Sequence, residues 1–127
     1  MIAEAYHDLL EAATTAVLTT VMPDGSPQGS PVWFWFDGEA VVVSTTADRL
    51  KYRNVVREPR VAFTVFDPAA PLRYLEVRGR AVLEEDPPGE MRDRIARKHG
   101  FADGTAFDAP GARRVNIRIT PGRVIEH

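Results

Sequence analysis

The stretch LRYLEVRGRAVLEE, residues 72–85, alternates apolar and polar side chains along most of its length. Leu75, Val77, Ala81 and Leu83 fall on one face with Gly79, while Tyr74, Glu76, Arg78, Arg80 and Glu84 fall on the other. That period of two belongs to a long strand with one core face and one polar face, and such a strand needs a sheet around it. Five further runs supply candidates: TAVLTTVM, QGSPVWFWF, AVVVSTT, RVAFTVFD and RRVNIRITPGRVIE. PDGSP fits a tight turn between the first two, since proline fixes φ and glycine accepts positive φ. Asp37-Gly38 marks a hairpin between the second and third. Pro121-Gly122 predicts a bulge or bend in the last strand. Ahead of them, Tyr6, Leu9, Leu10 and Ala13 recur at helical spacing and predict a short amphipathic helix over residues 5–13. Six strands with a few short helices point to a mainly β fold, a six-stranded barrel forming a single domain over residues 1–127.

One run breaks the alternation. In VWFWF, Trp33 and Trp35 point one way and Phe34 and Phe36 the other, which leaves no polar face. A chain of 127 residues buries only about two thirds of the surface exposed by its unfolded form. A strand apolar on both sides therefore predicts a second covering layer. A second subunit, giving a homodimer, is the expected cover, and the chain's own helices are the alternative.

Composition removes several function classes. The 44% apolar and 27% charged content is that of a globular protein. The apolar runs fall far short of the roughly 20 residues of a membrane-spanning helix, and the N-terminus is acidic where a signal peptide is basic. A cytoplasmic location is the default expectation. Without cysteine there is no thiolate nucleophile or cysteine zinc site, and His7, His99 and His127 lie far apart, so no metal site is expected. A pI near 5.9 argues against nucleic-acid binding.

The basic segment STTADRLKYRN, residues 44–54, stands out in a chain of net charge −2. Arg49, Lys51 and Arg53 gather where a strand gives way to a helix, although the partial positive charge of a helix N-terminus disfavours cations. An anionic ligand resolves the conflict. Arginine offers a bidentate fork and lysine a point charge, the usual partners of a phosphate. The alternative is a solvated charge cluster beside Asp48 and Glu58. No catalytic acid or base is evident, since Glu84, Glu85 and Asp86 read as a solvated strand end.

The order VLTTVMPDGSPQGSPVWFWFDG, VVVSTTADRLKYRNVVREPRVAFTV, YLEVRGRAVLEED resembles the pyridoxamine 5′-phosphate oxidase-like split β-barrel superfamily of flavin and deazaflavin proteins. GSPVWFWFDG followed by KYRNVVREPRVA is most similar to its small actinobacterial branch, which uses the deazaflavin coenzyme F420 as a hydride donor. The resemblance implies a six-stranded split barrel, dimeric, with cofactor at the subunit interface. It assigns the cofactor phosphate to Arg49 and Lys51. Ser44, Thr45 and Thr46 would run beside the ribityl chain and ring, with Asn54 bonding the ligand or holding the loop. Ser30, Pro31, Val32 and Trp33 would form the ring's other wall through their backbone, and Tyr74 would reach the cofactor from the other subunit. The implied activity is hydride transfer to a small, conjugated organic substrate, with F420 preferred over FMN. Arg53, Arg57 and Arg73 are available for the anionic tail of the deazaflavin. The alternatives are an FMN-binding relative and a non-catalytic flavin- or haem-binding module, the latter lacking an obvious axial histidine. Because the chain ends at RVIEH, without the substrate-phosphate arginine and histidine of the B6 oxidases, vitamin B6 oxidation is not expected.

Overall fold

The computed structural model describes residues 1–127. A single 3-10 turn, Glu4–Tyr6, leads into α1 (His7–Glu11), then β1 (Ala16–Val21), β2 (Pro27–Val32), β3 (Trp35–Phe36) and β4 (Val41–Thr46). After α2 (Leu50–Arg57) come β5 (Arg60–Asp67), β6 (Ala70–Glu85), α3 (Glu90–Lys98), a 3-10 turn at Thr105–Phe107 and β7 (Arg114–Glu126). All seven strands form one antiparallel sheet in the order β2-β1-β5-β6-β7-β4-β3. β2 and β3 are neighbours in sequence yet occupy the two opposite edges, so the sheet curls until Trp33 and Phe34 can step from one edge to the other. The result is a mainly β half-barrel with a seam.

The count of six strands is thereby corrected to seven. VWFWF is not one strand: β2 stops at Val32, and β3 begins at Trp35 on the far edge, hydrogen-bonded to β4. The step also explains the apolar residues on both sides. Phe34 turns inward, fully buried, its ring edge-on to Phe63 at 4.9 Å, and Phe36 meets the ring of His7 from α1 at 4.9 Å. Trp33 and Trp35 turn outward onto Val42 and onto Met91 and Ile95 of α3. Both faces are thus covered by the chain's own helices, and this run by itself calls for no second subunit.

The core lies inside the curl. Leu10, Leu18, Phe63, Val65, Leu75, Val77, Ile117 and Ile119 are fully buried there, each contributing roughly 1.5–3 kcal/mol relative to exposure. Leu75 and Val77 occupy the predicted inner face of β6, and Glu76 and Arg78 its outer face. The bulge falls where Pro121-Gly122 predicted it: Arg78 pairs with Arg123 and Gly79 with Pro121, leaving Gly122 as the extra residue. Gly79 is required there, because a Cβ would sit 2.2 Å from the Thr120 carbonyl oxygen. The Asp37-Gly38 hairpin also forms, with Asp37 Oδ1 accepting from the amides of Glu39 (2.9 Å) and Ala40 (2.7 Å).

Two helices flank the seam, and their first turns differ. α3 starts where the Asp86 carboxylate accepts from the amides of Glu90 (3.1 Å) and Met91 (3.0 Å). α2 has no such cap, since Arg49 stands at its N-cap and no side chain satisfies its first amides.

Candidate functional site

A cavity of about 970 Å³ opens along the seam. β3 pairs with β4 only at Val41 and Val42, so from Val43 to Thr46 the edge of β4 facing away from β7 has no strand partner. Opposite it lies the end of β2, which also has a free edge. Half of the backbone groups on such edges are unspent and can read a ligand's polar rim. The remaining walls come from the start of α2, from Ile95 and Ala96 of α3, and from the segment 107–114.

Eight of the eleven expected site residues line this cavity: Pro31, Val32, Trp33, Ser44, Thr45, Thr46, Arg49 and Lys51. The other three do not. Ser30 lies opposite Leu18 in the ladder, its hydroxyl buried without a partner. Asn54 is buried under α2, donating to the Thr20 hydroxyl at 3.0 Å and accepting from Arg57. Its side chain thereby ties α2 to β1. Tyr74 exchanges backbone hydrogen bonds with His127, stacks on its ring at 5.4 Å, and lies outside the cavity.

The cations of the cavity fall into two kinds. Arg113 is paired with Glu85 (2.7 Å), Arg92 with Asp93 (3.0 Å) and Asp108 (2.6 Å), and Arg114 with Asp108. Arg49 and Lys51 are in no ion pair, and their side chains make no hydrogen bond. Asp48, in the same wall, forms an ion pair with neither: its carboxylate accepts from the Thr46 hydroxyl, Arg53 donates to its backbone carbonyl at 2.6 Å, and Arg49 acts on it only as a nearby charge. Glu58 pairs with Arg60 instead. Burial, and then the adjacent charge of Arg49, pull the Lys51 ammonium below the ordinary lysine value. Two cations outside any ion pair thus stand beside an uncapped helix start and the hydroxyls of β4.

Loops 69–73 and 101–113 are the ones the sequence offers for the pocket floor; the second lines the opposite wall and the first does not, and the pairing within that wall was not legible. Asp108 accepts from Arg92 and from Arg114, whose bonds, Arg114's above all, hold its carboxyl below the usual carboxylate range. Arg114 also donates to the Ser44 hydroxyl at 3.3 Å, tying the 107–114 segment to β4. No spacing rule joins these residues. Arg57 and Arg73, expected to be available, are committed elsewhere: Arg57 donates to the Val21 carbonyl and Asn54, and Arg73 to Asp8 and the Ala5 carbonyl.

The sequence model of the pyridoxamine 5′-phosphate oxidase family matches residues 2–127. The chain belongs to that family. Solved structures similar to it include an F420 reductase, 36% identical with a TM-score of 0.88, covering 99% of this chain and 100% of that one. The conserved hypothetical protein Rv2991 from Mycobacterium tuberculosis is 26% identical with a TM-score of 0.79, over 98% and 83%. A putative pyridoxamine 5′-phosphate oxidase from Listeria innocua is 26% identical with a TM-score of 0.72, over 97% and 95%. No curated protein matches.

Proposed function

We propose that this protein is an F420-dependent oxidoreductase that passes a hydride to a small, conjugated organic substrate. The observation that carries the reading is the pair of cations outside any ion pair, Arg49 and Lys51, at the start of α2 inside the seam cavity. The similarity to an F420 reductase supports the choice of deazaflavin over FMN.

The residues present fit such a group. Arg49 and Lys51 would hold its phosphate, helped by the uncapped amides of α2. Ser44 and Thr45 would bond the ribityl chain, and the free edges of β4 and of Pro31–Trp33 would flank the ring. When bound, the reduced deazaflavin supplies the hydride, and the protein's part is to hold, orient and exclude water. Thr46 and Arg114 serve that part by fixing Asp48 and Ser44. Asp108, bound by two arginines, stays ionised and makes a poor proton donor.

We place the working protein in the cytoplasm as a homodimer. No helix is long and apolar enough to cross a membrane. The outer face of β1 and β5 exposes Val17 and Phe66 near each other, with Tyr74 opposite Phe66 on β6, and a second copy covering them would bring Tyr74 toward the partner. Light scattering tests this directly, the expected mass being twice the 14.1 kDa of one chain. A stable monomer that binds cofactor would refute the shared site. The cofactor itself is tested by titrating the purified protein separately with deazaflavin and FMN while following fluorescence. At least roughly ten-fold tighter deazaflavin binding, about 1.4 kcal/mol, is expected. Stoichiometric FMN carried through purification would overturn the assignment and leave an FMN-binding family member in its place.

A further inference from the structure

The seam cavity has two chemically different ends. At the α2 end stand Arg49 and Lys51, neither in an ion pair. At the α3 end the ionic groups satisfy one another, Arg92 and Arg114 against Asp93 and Asp108, two cations to two carboxylates. What that end leaves facing the cavity is apolar: Trp33, Phe107, Ile95 and Ala96.

We propose that the Trp33–Phe107 end is a separate subsite for a neutral, ring-bearing apolar molecule, and that Phe107 sets its selectivity. The inference extends the proposed function, since that molecule would be the hydride acceptor, but its binding can be tested independently. Phe107, in the cavity wall, is 50% exposed, a large aromatic surface left open there, and Phe101 packs beside it from outside the lining. They form one cluster with Trp33, at centroid distances of 6.4 Å from Phe107 and 6.0 Å from Phe101, with 5.4 Å between the two phenyl rings. Trp33 is backed by His99, parallel to it at 3.8 Å, so its indole cannot retreat from an occupant. The backbone that carries Phe107 is anchored on both sides. The next residue, Asp108, is clamped by Arg92 at 2.6 Å and by Arg114 Nε at 2.8 Å. Three residues earlier in the turn, the Gly104 amide donates to Asp93 at 2.9 Å, in a niche where a Cβ would lie 2.7 Å from Arg92 Cγ. An aromatic wall fixed in advance loses little entropy when a flat molecule docks on it. An anion would find no free donor among these paired groups, so phosphate and carboxylate ligands belong at the other end.

The test is a fluorescence titration with the neutral probe N-phenyl-1-naphthylamine on the full chain, comparing wild type with Phe107→Ala, Phe107→Leu and Lys51→Ala. Phe107→Ala should weaken the probe roughly five- to ten-fold, the loss expected for one aromatic partner, and Phe107→Leu should weaken it less. Lys51→Ala should leave probe affinity unchanged. In a Trp35→Phe background, energy transfer from Trp33 to the bound naphthyl group places the probe at this end. Deazaflavin affinity unchanged in Phe107→Ala shows that the variant is folded and that the two ends are separate. Absence of probe binding to wild type, or equal probe affinity in wild type and Phe107→Ala, overturns the subsite. Equal weakening by Lys51→Ala also overturns it. If the probe binds with the expected Phe107 dependence while neither deazaflavin nor FMN binds wild type, the subsite stands and the cofactor reading falls.

Discussion

Lys51→Ala separates a ligand-binding cation from a structural one. Lys51 is half-buried, has no acidic partner, and lies beside Arg49 at an uncapped helix start. Removing a charge-assisted contact to a phosphate costs about 1.5–3 kcal/mol, or roughly ten- to hundred-fold in affinity. At a ligand concentration about 100 times the wild-type Kd, binding stabilises the wild type by about 2.7 kcal/mol; ten- to hundred-fold weaker binding leaves about 1.4 to 0.4 kcal/mol. At roughly 4 °C per kcal/mol for a domain of this size, cofactor should raise the wild-type Tm by about 11 °C and the variant's by about 2–6 °C. The apo variant should melt at or slightly above the wild type, because a cation repelled by Arg49 and by the helix dipole is gone. The sign with pH comes from the lowered lysine value. The folded state holds its proton less tightly than the unfolded state, so charged Lys51 costs stability below its folded pKa. That cost fades as pH rises toward the unfolded 10.5, and the apo difference between variant and wild type should shrink with it. Thermal melts with and without deazaflavin, across pH, measure both effects. An unchanged ligand-induced shift together with a lower apo Tm would make Lys51 an ordinary structural cation and remove the main support for the phosphate site.

Other substitutions probe the buried polar groups and the bulge. Asn54→Ala removes a buried bond to Thr20 and the acceptor for Arg57, and should cost about 1–3 kcal/mol in denaturant titration while leaving cofactor affinity unchanged; a lost affinity would restore Asn54 as a ligand contact. Gly79→Ala drives a Cβ to 2.2 Å from the Thr120 carbonyl and should destabilise by more than about 3 kcal/mol, whereas Gly25→Ala, with open space and φ of +86°, should cost about 1–2 kcal/mol; equal costs would refute the close-approach reading. His99 is held below its ordinary value by burial first and Lys98 second, so the folded state resists its protonation. Wild-type stability should therefore fall as pH drops below 6.5 toward the lowered folded value, and His99→Phe, which keeps the stack on Trp33, should flatten that part of the curve. Identical acid limbs in urea titrations of the two proteins would show that His99 titrates as freely folded as unfolded.

What could be read in advance was whatever rests on local rules. The period of two in residues 72–85 separated Leu75 and Val77 from Glu76 and Arg78 correctly, because each face of β6 has one environment throughout. Asp37-Gly38 and Pro121-Gly122 were legible because turn and bulge chemistry depends on one or two residues. Arg49 and Lys51 stood out because they violate a local preference, and a violated preference needs a cause outside the segment. The far wall had no such signature. Arg92, Asp108 and Arg114 meet only because α3 and β7 are brought together, and nothing in RDRIARKHGFADGTAFDAPGARR marks which acid serves two bases. Arg57 and Arg73 failed in the opposite sense: each looks like a spare surface cation in sequence, yet Arg57 is spent on the Val21 carbonyl and Asn54, and Arg73 on Asp8 and the Ala5 carbonyl.

The error over VWFWF has the most to teach about the site. An apolar run with no period gives no sign of where a strand stops, and continuous pairing of residues 28–36 with 40–46 would lay backbone along the whole free edge of β4. The actual break at Trp33 and Phe34 limits that pairing to Val41 and Val42. Beyond it, Ser44, Thr45 and Thr46 keep one edge open toward the end of β2, and that gap is the cavity. The same break sends Trp33 and Trp35 outward, where Met91 and Ile95 need an apolar surface on which to seat α3, while Phe34 plugs the inside of the barrel. The run without a polar face is thus explained by one chain changing sheet edges, with each side of the step covered by a different helix. An unbroken strand there would remove the apolar seat for α3 and fill the seam in which Arg49 and Lys51 stand without partners.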